Sequence, residues 1–191
     1  MIYLYFKKYH FTANDFDTKK KYLFMKQADY LIDYFQMTPH PEGGFYKEIF
    51  KSDKKIEIPA FDNIVKQRFF QTSIYFLLKE NQISNFHRLK SDEIWFFHEG
   101  SSVVVHTIDI QGNRTDFVLG SNLANSDSYQ VILPAGTWFA AKNIDQNSYS
   151  FFSCTVSPGF DFEDFDLGNF ETLSKLFPEH LDLIRNFVTQ K

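Results

Sequence analysis

Several features that define other classes of protein are missing from these 191 residues. Cys154 is the only cysteine, which excludes an intramolecular disulfide and a zinc site built from several thiolates. No run of residues approaches the ~20 apolar residues that a membrane-spanning helix needs. There is no Gly-rich phosphate loop and no Gly-x-Ser-x-Gly nucleophile elbow. Any chemistry therefore has to come from other side chains.

The chain also lacks an excess of basic charge. Its 20 Lys and Arg residues face 24 Asp and Glu residues, which gives a net charge of −4. This balance predicts no nucleic-acid partner, and the lack of a secretory signal pattern and of a membrane segment predicts a cytoplasmic protein with no membrane partner. Residues 1–26 are rich in lysine and show no clear apolar period. We interpret them as a basic N-terminal extension to a single domain over residues 27–191.

Aromatic residues, in contrast, are abundant at 19% of the chain. Short apolar segments separated by turn residues follow one another at ~8–12-residue spacing, which predicts an all-β sandwich or barrel. A helix is expected over about 27–36, and two short helices after the strands, the first capped by Asn169 and the second starting near Pro178. The strands are predicted at 45–50, 69–78, 83–89, 92–99, 101–109, 114–119, 128–133, 137–142 and 148–156.

The stretch 87–93 predicts two strands that meet at a tight turn. Because side chains alternate along a strand, an inward His87 brings Asn85 and Leu89 to the same face. An inward Glu93 likewise brings Trp95 and Phe97, whereas Arg88 faces out or lies at the rim. An imidazole and a carboxylate among apolar residues suit proton transfer near neutral pH, although a buried pair with a purely structural role fits equally well.

The loop His40-Pro41-Glu42-Gly43-Gly44 offers two more candidates, His40 and Glu42. Binding residues often lie on loops that a rigid scaffold positions, so this loop can fold over a barrel mouth and present polar groups to a ligand. It can equally be a turn that holds the helix against the barrel. Both interpretations stay open here.

Several ordered motifs resemble the cupin superfamily, and more closely its DUF985 (Cupin_5) branch. These motifs are the loop at 40–44, Thr72-Ser73-Ile74-Tyr75-Phe76-Leu77-Leu78, Asp92-Glu93-Ile94-Trp95, Pro134-Ala135-Gly136-Thr137-Trp138, Cys154-Thr155-Val156-Ser157-Pro158-Gly159-Phe160 and Phe162-Glu163-Asp164-Phe165. The resemblance covers about residues 28–167. It implies a double-stranded β-helix, or jelly-roll barrel, that is often a homodimer, but it implies little about activity.

The four positions that usually bind a metal in cupins depart from the pattern. By resemblance they correspond to His87, Leu89, Glu93 and Phe139, of which two are apolar. Transition metals at such sites want about three or four nitrogen or oxygen ligands. We therefore expect no cofactor, with a divalent metal held weakly by His87 and Glu93 as the alternative.

Three functions remain as hypotheses for a small-molecule ligand in the barrel. The first is a metal-independent isomerase or epimerase on a sugar-derived or other small polar metabolite. In it His87 is the base, Glu93 orients or charges it, and Arg88 attracts an anionic group. The second is a non-catalytic binding protein whose ligand lies among the apolar side chains Leu89, Trp95, Phe97 and Phe139. The third is a metal-dependent cupin enzyme.

Overall fold

The computed structural model describes residues 13–59 and 65–188. Three helices are present there: α1 (Ala13–Phe35), α2 (Phe170–Leu176) and α3 (Leu181–Asn186). The strands are β1 (Thr38–Pro39), β2 (Phe45–Lys51), β3 (Lys55–Pro59), β4 (Val65–Phe69), β5 (Thr72–Lys79), β6 (Ile83–Leu89), β7 (Asp92–Gly100), β8 (Val103–Ile108), β9 (Arg114–Leu119), β10 (Gln130–Leu133), β11 (Trp138–Asn143), β12 (Tyr149–Ser157) and β13 (Phe165–Leu167). Short 3₁₀ turns lie at Leu123–Asn125, Phe162–Asp164 and Pro178–His180.

Two sheets make up the barrel. One has six strands in the order β1-β2-β5-β12-β7-β10, and the other has five in the order β13-β6-β11-β8-β9. The paired strands within both sheets run antiparallel. From β5 to β8 and from β9 to β13 the chain crosses from one sheet to the other at each successive strand, and β8 and β9 form a hairpin within one sheet, as in a jelly roll. The predicted all-β jelly-roll fold is therefore confirmed.

A continuous apolar core fills one part of the space between the sheets. Trp95 of β7 and Phe139 of β11 meet there edge to face, with ring centroids 5.9 Å apart, and Phe152 stacks on Trp95 at 4.7 Å. Phe97 packs against the same core and is partly buried. Because aromatic side chains each bury a large apolar area, this packed part stabilises the barrel and leaves the rest of the interior free for a cavity.

Helix α1 covers the outer face of the six-stranded sheet. Ala28 and Leu31 are buried there, and Phe35 stacks on Phe151 with centroids 5.5 Å apart. Tyr30 and Tyr34 are exposed on the opposite side. The helix predicted over 27–36 is thus the end of a longer one, because residues 13–26 are helical despite their unclear period.

Helices α2 and α3 cover the outer face of the five-stranded sheet. Leu173 and Ile184 are fully buried against Phe86 and Trp138 of that sheet. The predicted cap is confirmed, since the backbone N–H of Thr172 donates to the Asn169 side chain at 2.9 Å. None of the helices described in this structure has both the length and the apolar character needed to cross a bilayer.

The hairpin β3–β4 forms a separate two-stranded sheet that the sequence did not predict. Arg68 of β4 is buried and donates to the Asp164 carboxylate, with Nε to Oδ2 at 2.6 Å. Its Nη2 also lies 3.0 Å from Glu163. These ion pairs fasten the hairpin to the 3₁₀ turn at Phe162–Asp164, and both segments border the site described next.

Candidate functional site

A cavity of about 420 Å³ opens between the two sheets, beside the packed core. Volumes of this size are typical of sites for small molecules. Five of the residues proposed from the sequence line it: His40, Glu42, His87, Leu89 and Glu93. The other lining residues are Tyr46, Glu48, Lys51, Phe69, Thr72, Ser73, Ile74, Phe76, Cys154, Val156, Phe160, Asp161, Phe162 and Phe165.

His87 projects from β6 into the cavity and is almost completely buried. Its Nδ1 lies 2.7 Å from the backbone oxygen of Asn85. A carbonyl oxygen only accepts hydrogen bonds, so Nδ1 carries the hydrogen and Nε2 is the nitrogen that gains or loses a proton. The ring is held between Phe139, with centroids 4.1 Å apart, and Phe165. Packing and the Asn85 contact therefore fix both the tautomer and the orientation of the imidazole.

The carboxylate partner of His87 is Glu42. Nε2 of His87 lies 3.2 Å from Oε2 of Glu42, and Nδ1 of His40 lies 3.1 Å from the same oxygen. Ser84 donates to the other oxygen at 2.8 Å. The pairing of His87 with Glu93 expected from side-chain alternation is not found: the two residues stand on facing sheets, and the loop at residues 40–44 places Glu42 against His87 instead. The role expected of Glu93, to orient and charge the imidazole, falls to Glu42.

The loop at residues 40–44 reaches His87 because its glycines allow a close approach to β6. Gly43 has φ +114°, and a Cβ added there would lie 2.1 Å from the backbone oxygen of Ile83. The backbone N–H and the side-chain amide of Asn85 both donate to the backbone oxygen of Glu42, at 2.8 and 2.7 Å. Asn85 is therefore a positioning residue behind the cavity wall. It holds both Glu42 and His87.

The environment of this pair favours a charged Glu42 and a neutral His87. Burial alone would raise the pKa of Glu42, but His87, His40 and Ser84 together lower it below the ordinary value. Burial lowers the pKa of His87, and the Glu42 carboxylate and the Asn85 carbonyl only partly oppose this. The form of His87 with a free lone pair on Nε2 is therefore populated near neutral pH, and the imidazolium is stabilised by Glu42 once a proton arrives.

Glu93 lies on the cavity wall formed by the six-stranded sheet, and its pKa shifts in the opposite direction to that of Glu42. Burial raises its pKa to about 8, and the Glu42 charge adds to this rise. The Trp95 indole and the Cys154 thiol lie close enough to oppose the rise. Among the described residues, however, neither Oε2 of Glu93 nor Nε1 of Trp95 has a hydrogen-bond partner of normal geometry. Glu93 is therefore a neutral acid at pH 7, and burial raises the pKa of the adjacent Cys154 thiol as well.

The remaining residues proposed from the sequence do not line the cavity. Trp95, Phe97 and Phe139 belong to the packed core, where Phe139 meets the cavity residue His87 with ring centroids 4.1 Å apart and Trp95 stacks on the cavity residue Phe76 at 6.5 Å. Arg88 lies on the outer face, where Nε is 2.8 Å from Asp166 and the guanidinium lies 4.8 Å from the centre of the Trp138 ring. Strand alternation correctly predicted that Arg88 points outward. Because its side chain lies on the outer face, Arg88 does not reach a ligand in the barrel.

The residues at the usual cupin metal positions do not fit a metal ion. Leu89 and Phe139 present only carbon, which leaves His87 and Glu93 as the two possible ligands at these four positions. His98 packs against Tyr75 and Phe151 on the outer side, under α1. Across residues 13–59 and 65–188, no three side chains of His, Cys, Asp or Glu are grouped so that they could hold a metal. We therefore derive no chemical step through a metal.

Several lining residues were missed from the sequence. Phe69 lies at the end of the unpredicted β4, and Glu48 and Lys51 lie on the outer part of β2, paired at 2.9 Å. Phe160 precedes the acidic run 161–166, and Phe165 lies within it. The alternation of Phe and acid in that run was the available indication that one side faces the interior.

Two facing antiparallel sheets around an interior cavity define the chain as a cupin-fold protein. More specifically, the chain belongs to the family described as Cupin superfamily (DUF985), whose model matches residues 29–168. It is similar to a hypothetical protein from Leishmania major, with a TM-score of 0.77 and 30% identity over 85% of this chain and 99% of that one. Protein SO0799 from Shewanella oneidensis is similar at 35% identity, with a TM-score of 0.76 over 86% and 98% of the two chains.

More distant likenesses agree with this family. The uncharacterized protein YML079W of Saccharomyces cerevisiae is 28% identical over 144 residues, which cover 70% of this chain and 71% of that protein. Oxalate decarboxylase from Bacillus subtilis has a TM-score of 0.50 at 14% identity, over 80% of this chain and 37% of that one. This last likeness concerns the fold alone.

Proposed function

We propose that the protein binds a small polar metabolite in the barrel cavity and moves a proton on it as a metal-independent isomerase or epimerase. The observation that carries this proposal is the buried contact of 3.2 Å between Nε2 of His87 and Oε2 of Glu42 at the cavity wall. A lowered pKa keeps His87 ready to accept a proton, and a neighbouring carboxylate stabilises the cation that results. Sugar-derived metabolites with a carbonyl group are the substrates we expect.

The reaction balances with His87 as the only base. Nε2 takes the proton from the carbon next to a substrate carbonyl, and the electron pair of the broken C–H bond moves onto the carbonyl oxygen as an enolate. Glu42 stabilises the imidazolium during the lifetime of that intermediate. For isomerisation the proton returns from Nε2 to the former carbonyl carbon, while the proton of the neighbouring hydroxyl group moves to the former carbonyl oxygen. For epimerisation a water molecule protonates the carbon on the opposite face, and Nε2 gives its proton to solvent. Homodimer formation, cytoplasmic location and the absence of a cofactor stay predictions.

Exchange of substrate hydrogen with solvent tests this proposal without knowledge of the product. The protein is incubated in D₂O with a panel of aldoses, ketoses and amino sugars, and deuterium uptake is measured by mass spectrometry. We expect uptake at the carbon beside the carbonyl in at least one compound. The His87→Gln variant should lose it, and the outer-face control Asp166→Asn should keep it.

Two outcomes would contradict the proposed reaction. Uptake that persists in His87→Gln would remove His87 from the role of base. Binding of a panel compound without deuterium uptake would leave a cavity with no proton transfer, and the non-catalytic binding protein would then replace the enzyme. The non-catalytic binding protein is the alternative function because apolar side chains such as Leu89 line the cavity, and these can hold a ligand without reacting with it.

A further inference from the structure

We propose that the ligand carries an amine or another basic nitrogen, which takes the proton of the buried Glu93 carboxyl group and is then held by the resulting carboxylate among aromatic rings. The inference rests on the proposed function only in placing the ligand in the same cavity. It narrows the class of substrate from small polar metabolites to small organic cations, such as sugars that carry an amino group.

Glu93 is a buried side chain with an unpaired carboxyl oxygen. Its side chain lines the cavity, only 6% of the residue is exposed, and Oε2 has no hydrogen-bond partner of normal geometry among the described residues. Buried polar groups in folded proteins are nearly always paired, so an unpaired one at a cavity wall indicates a missing partner. A basic amine supplies that partner, because it takes the proton of this neutral acid and then donates an N–H group to the carboxylate, and a hydrogen bond between charged groups is the strongest that a carboxylate accepts.

The residues that line the cavity include more acidic than ammonium groups. Among the lining residues four are acidic, Glu42, Glu48, Glu93 and Asp161, and the one ammonium group is that of Lys51. Glu42 faces two imidazoles, and Glu48 lies 2.9 Å from Lys51. Glu93 has no such basic partner within 4 Å among the described residues. An anionic ligand group would face this excess of carboxylates, whereas a cationic one would reduce it.

Aromatic rings form a large part of the cavity lining. Tyr46, Phe76, Phe160 and Phe165 line the cavity, and rings of this kind attract cations through their electron-rich faces. Phe69, at the same cavity, already has two ammonium groups over its ring, Lys51 at 5.1 Å and Lys55 at 4.9 Å from the centroid. Walls of aromatic carbon offer no ligands to an inorganic ion. An organic cation is therefore the better fit.

Three probes with one ring and different charges test this inference at pH 8: benzylamine, benzyl alcohol and benzoate, each titrated calorimetrically. We expect benzylamine to bind at least ~10-fold more tightly than benzyl alcohol, since a hydrogen bond between charged groups adds that much. Benzoate should bind most weakly. Glu93→Gln should reduce the affinity for benzylamine at least ~10-fold and leave that for benzyl alcohol within about 3-fold.

The control substitution Asp166→Asn removes a carboxylate on the outer face and should change none of the three affinities. Equal binding of benzylamine and benzyl alcohol, no binding of benzylamine, or a Glu93→Gln variant that keeps its affinity for benzylamine would each overturn the inference. Its failure is separable from that of the proposed function. His87→Gln should lose deuterium uptake and keep the preference for the amine, whereas Glu93→Gln should lose the preference.

Discussion

Two buried glutamates in one cavity, Glu42 and Glu93, have opposite ionisation behaviour. Their exposures are nearly the same, 5% and 6%. Glu42, on the loop against the five-stranded sheet, is surrounded by His40, His87 and Ser84, and its pKa falls. Glu93, on the six-stranded sheet, has no such partners, and its pKa rises to about 8. Burial raises the pKa of both groups, and at equal burial the partners of a carboxyl group decide whether it is charged.

Replacing each glutamate by glutamine is the test with the largest expected effect. Glu42→Gln removes the charge of a buried carboxylate that contacts His40, His87 and Ser84. Because hydrogen bonds to charged groups contribute about 1.5–3 kcal/mol each, we expect the free energy of unfolding at pH 7 to fall by about 3 kcal/mol or more. Glu93→Gln removes a carboxyl group that keeps its proton in the folded state and loses it in the unfolded state, so at pH 7 it should raise the free energy of unfolding by about 2–3 kcal/mol. Urea denaturation measures both, and equal losses in the two variants would break the comparison.

The pH dependence of the free energy of unfolding tests the raised pKa of Glu93. The pKa of Glu93 is about 8 in the folded protein and 4.5 as its ordinary value, so between these pH values the folded state keeps a proton that the unfolded state releases. Stability is therefore lost as the pH rises from 4.5 to 8 and is constant with respect to this group above 8. Between pH 5 and 9 the wild type should lose about 2–4 kcal/mol relative to Glu93→Gln. Parallel stability curves for the two proteins would contradict this.

A substitution that shifts the loop at residues 40–44 tests the environment of Glu42 with little change to that of Glu93. Gly43→Ala puts a Cβ against the backbone oxygen of Ile83 at a φ of +114°, so the loop has to shift. We expect a loss of about 1–3 kcal/mol in the free energy of unfolding. The lowered pKa of Glu42 should return toward its ordinary value, and the raised pKa of Glu93 should change much less. Thermal denaturation gives the first quantity and carboxyl NMR the other two.

The smallest effect is expected on the outer face. Arg88 lies next to His87 in the chain, yet its ion pair with Asp166 is exposed to solvent. Arg88→Ala should cost at most about 1 kcal/mol of stability and leave the affinity for benzylamine unchanged. A large loss of that affinity, measured by the same calorimetry, would return Arg88 to the ligand site predicted from the sequence.

The parts of the site that follow from local alternation were predictable. β6 spans the predicted 83–89, and its alternation correctly turns His87 and Leu89 to the cavity and Arg88 outward. Asn85, which the same rule predicted to face the ligand, does not line the cavity, because the register of β6 against β11 shifts between Ser84 and His87. The same rule brings Glu93 to the interior from β7. The periodic pattern of each strand is determined by which of its faces is buried, so sequence alone carries this information.

The parts that depend on contacts between distant segments were not predictable. Glu42 sits on a loop, where no period indicates the direction of a side chain, and its contact with His87 joins two segments far apart in the chain. Alternation placed Glu93 inward but carried no information on which sheet holds it. The hairpin β3–β4 was missed because its mixed charged and apolar residues form a small separate sheet outside the barrel.

A ¹³C NMR titration of the side-chain carboxyl groups tests the central claim most directly. The protein is labelled with ¹³C-glutamate, and the variants Glu42→Gln and Glu93→Gln assign the two resonances. The account predicts that at pH 6.5 the Glu42 resonance lies at the ionised position and the Glu93 resonance at the protonated position, the latter titrating near pH 8. Two resonances that titrate together near pH 4.5, or a Glu42 that is protonated at pH 6.5, would contradict it.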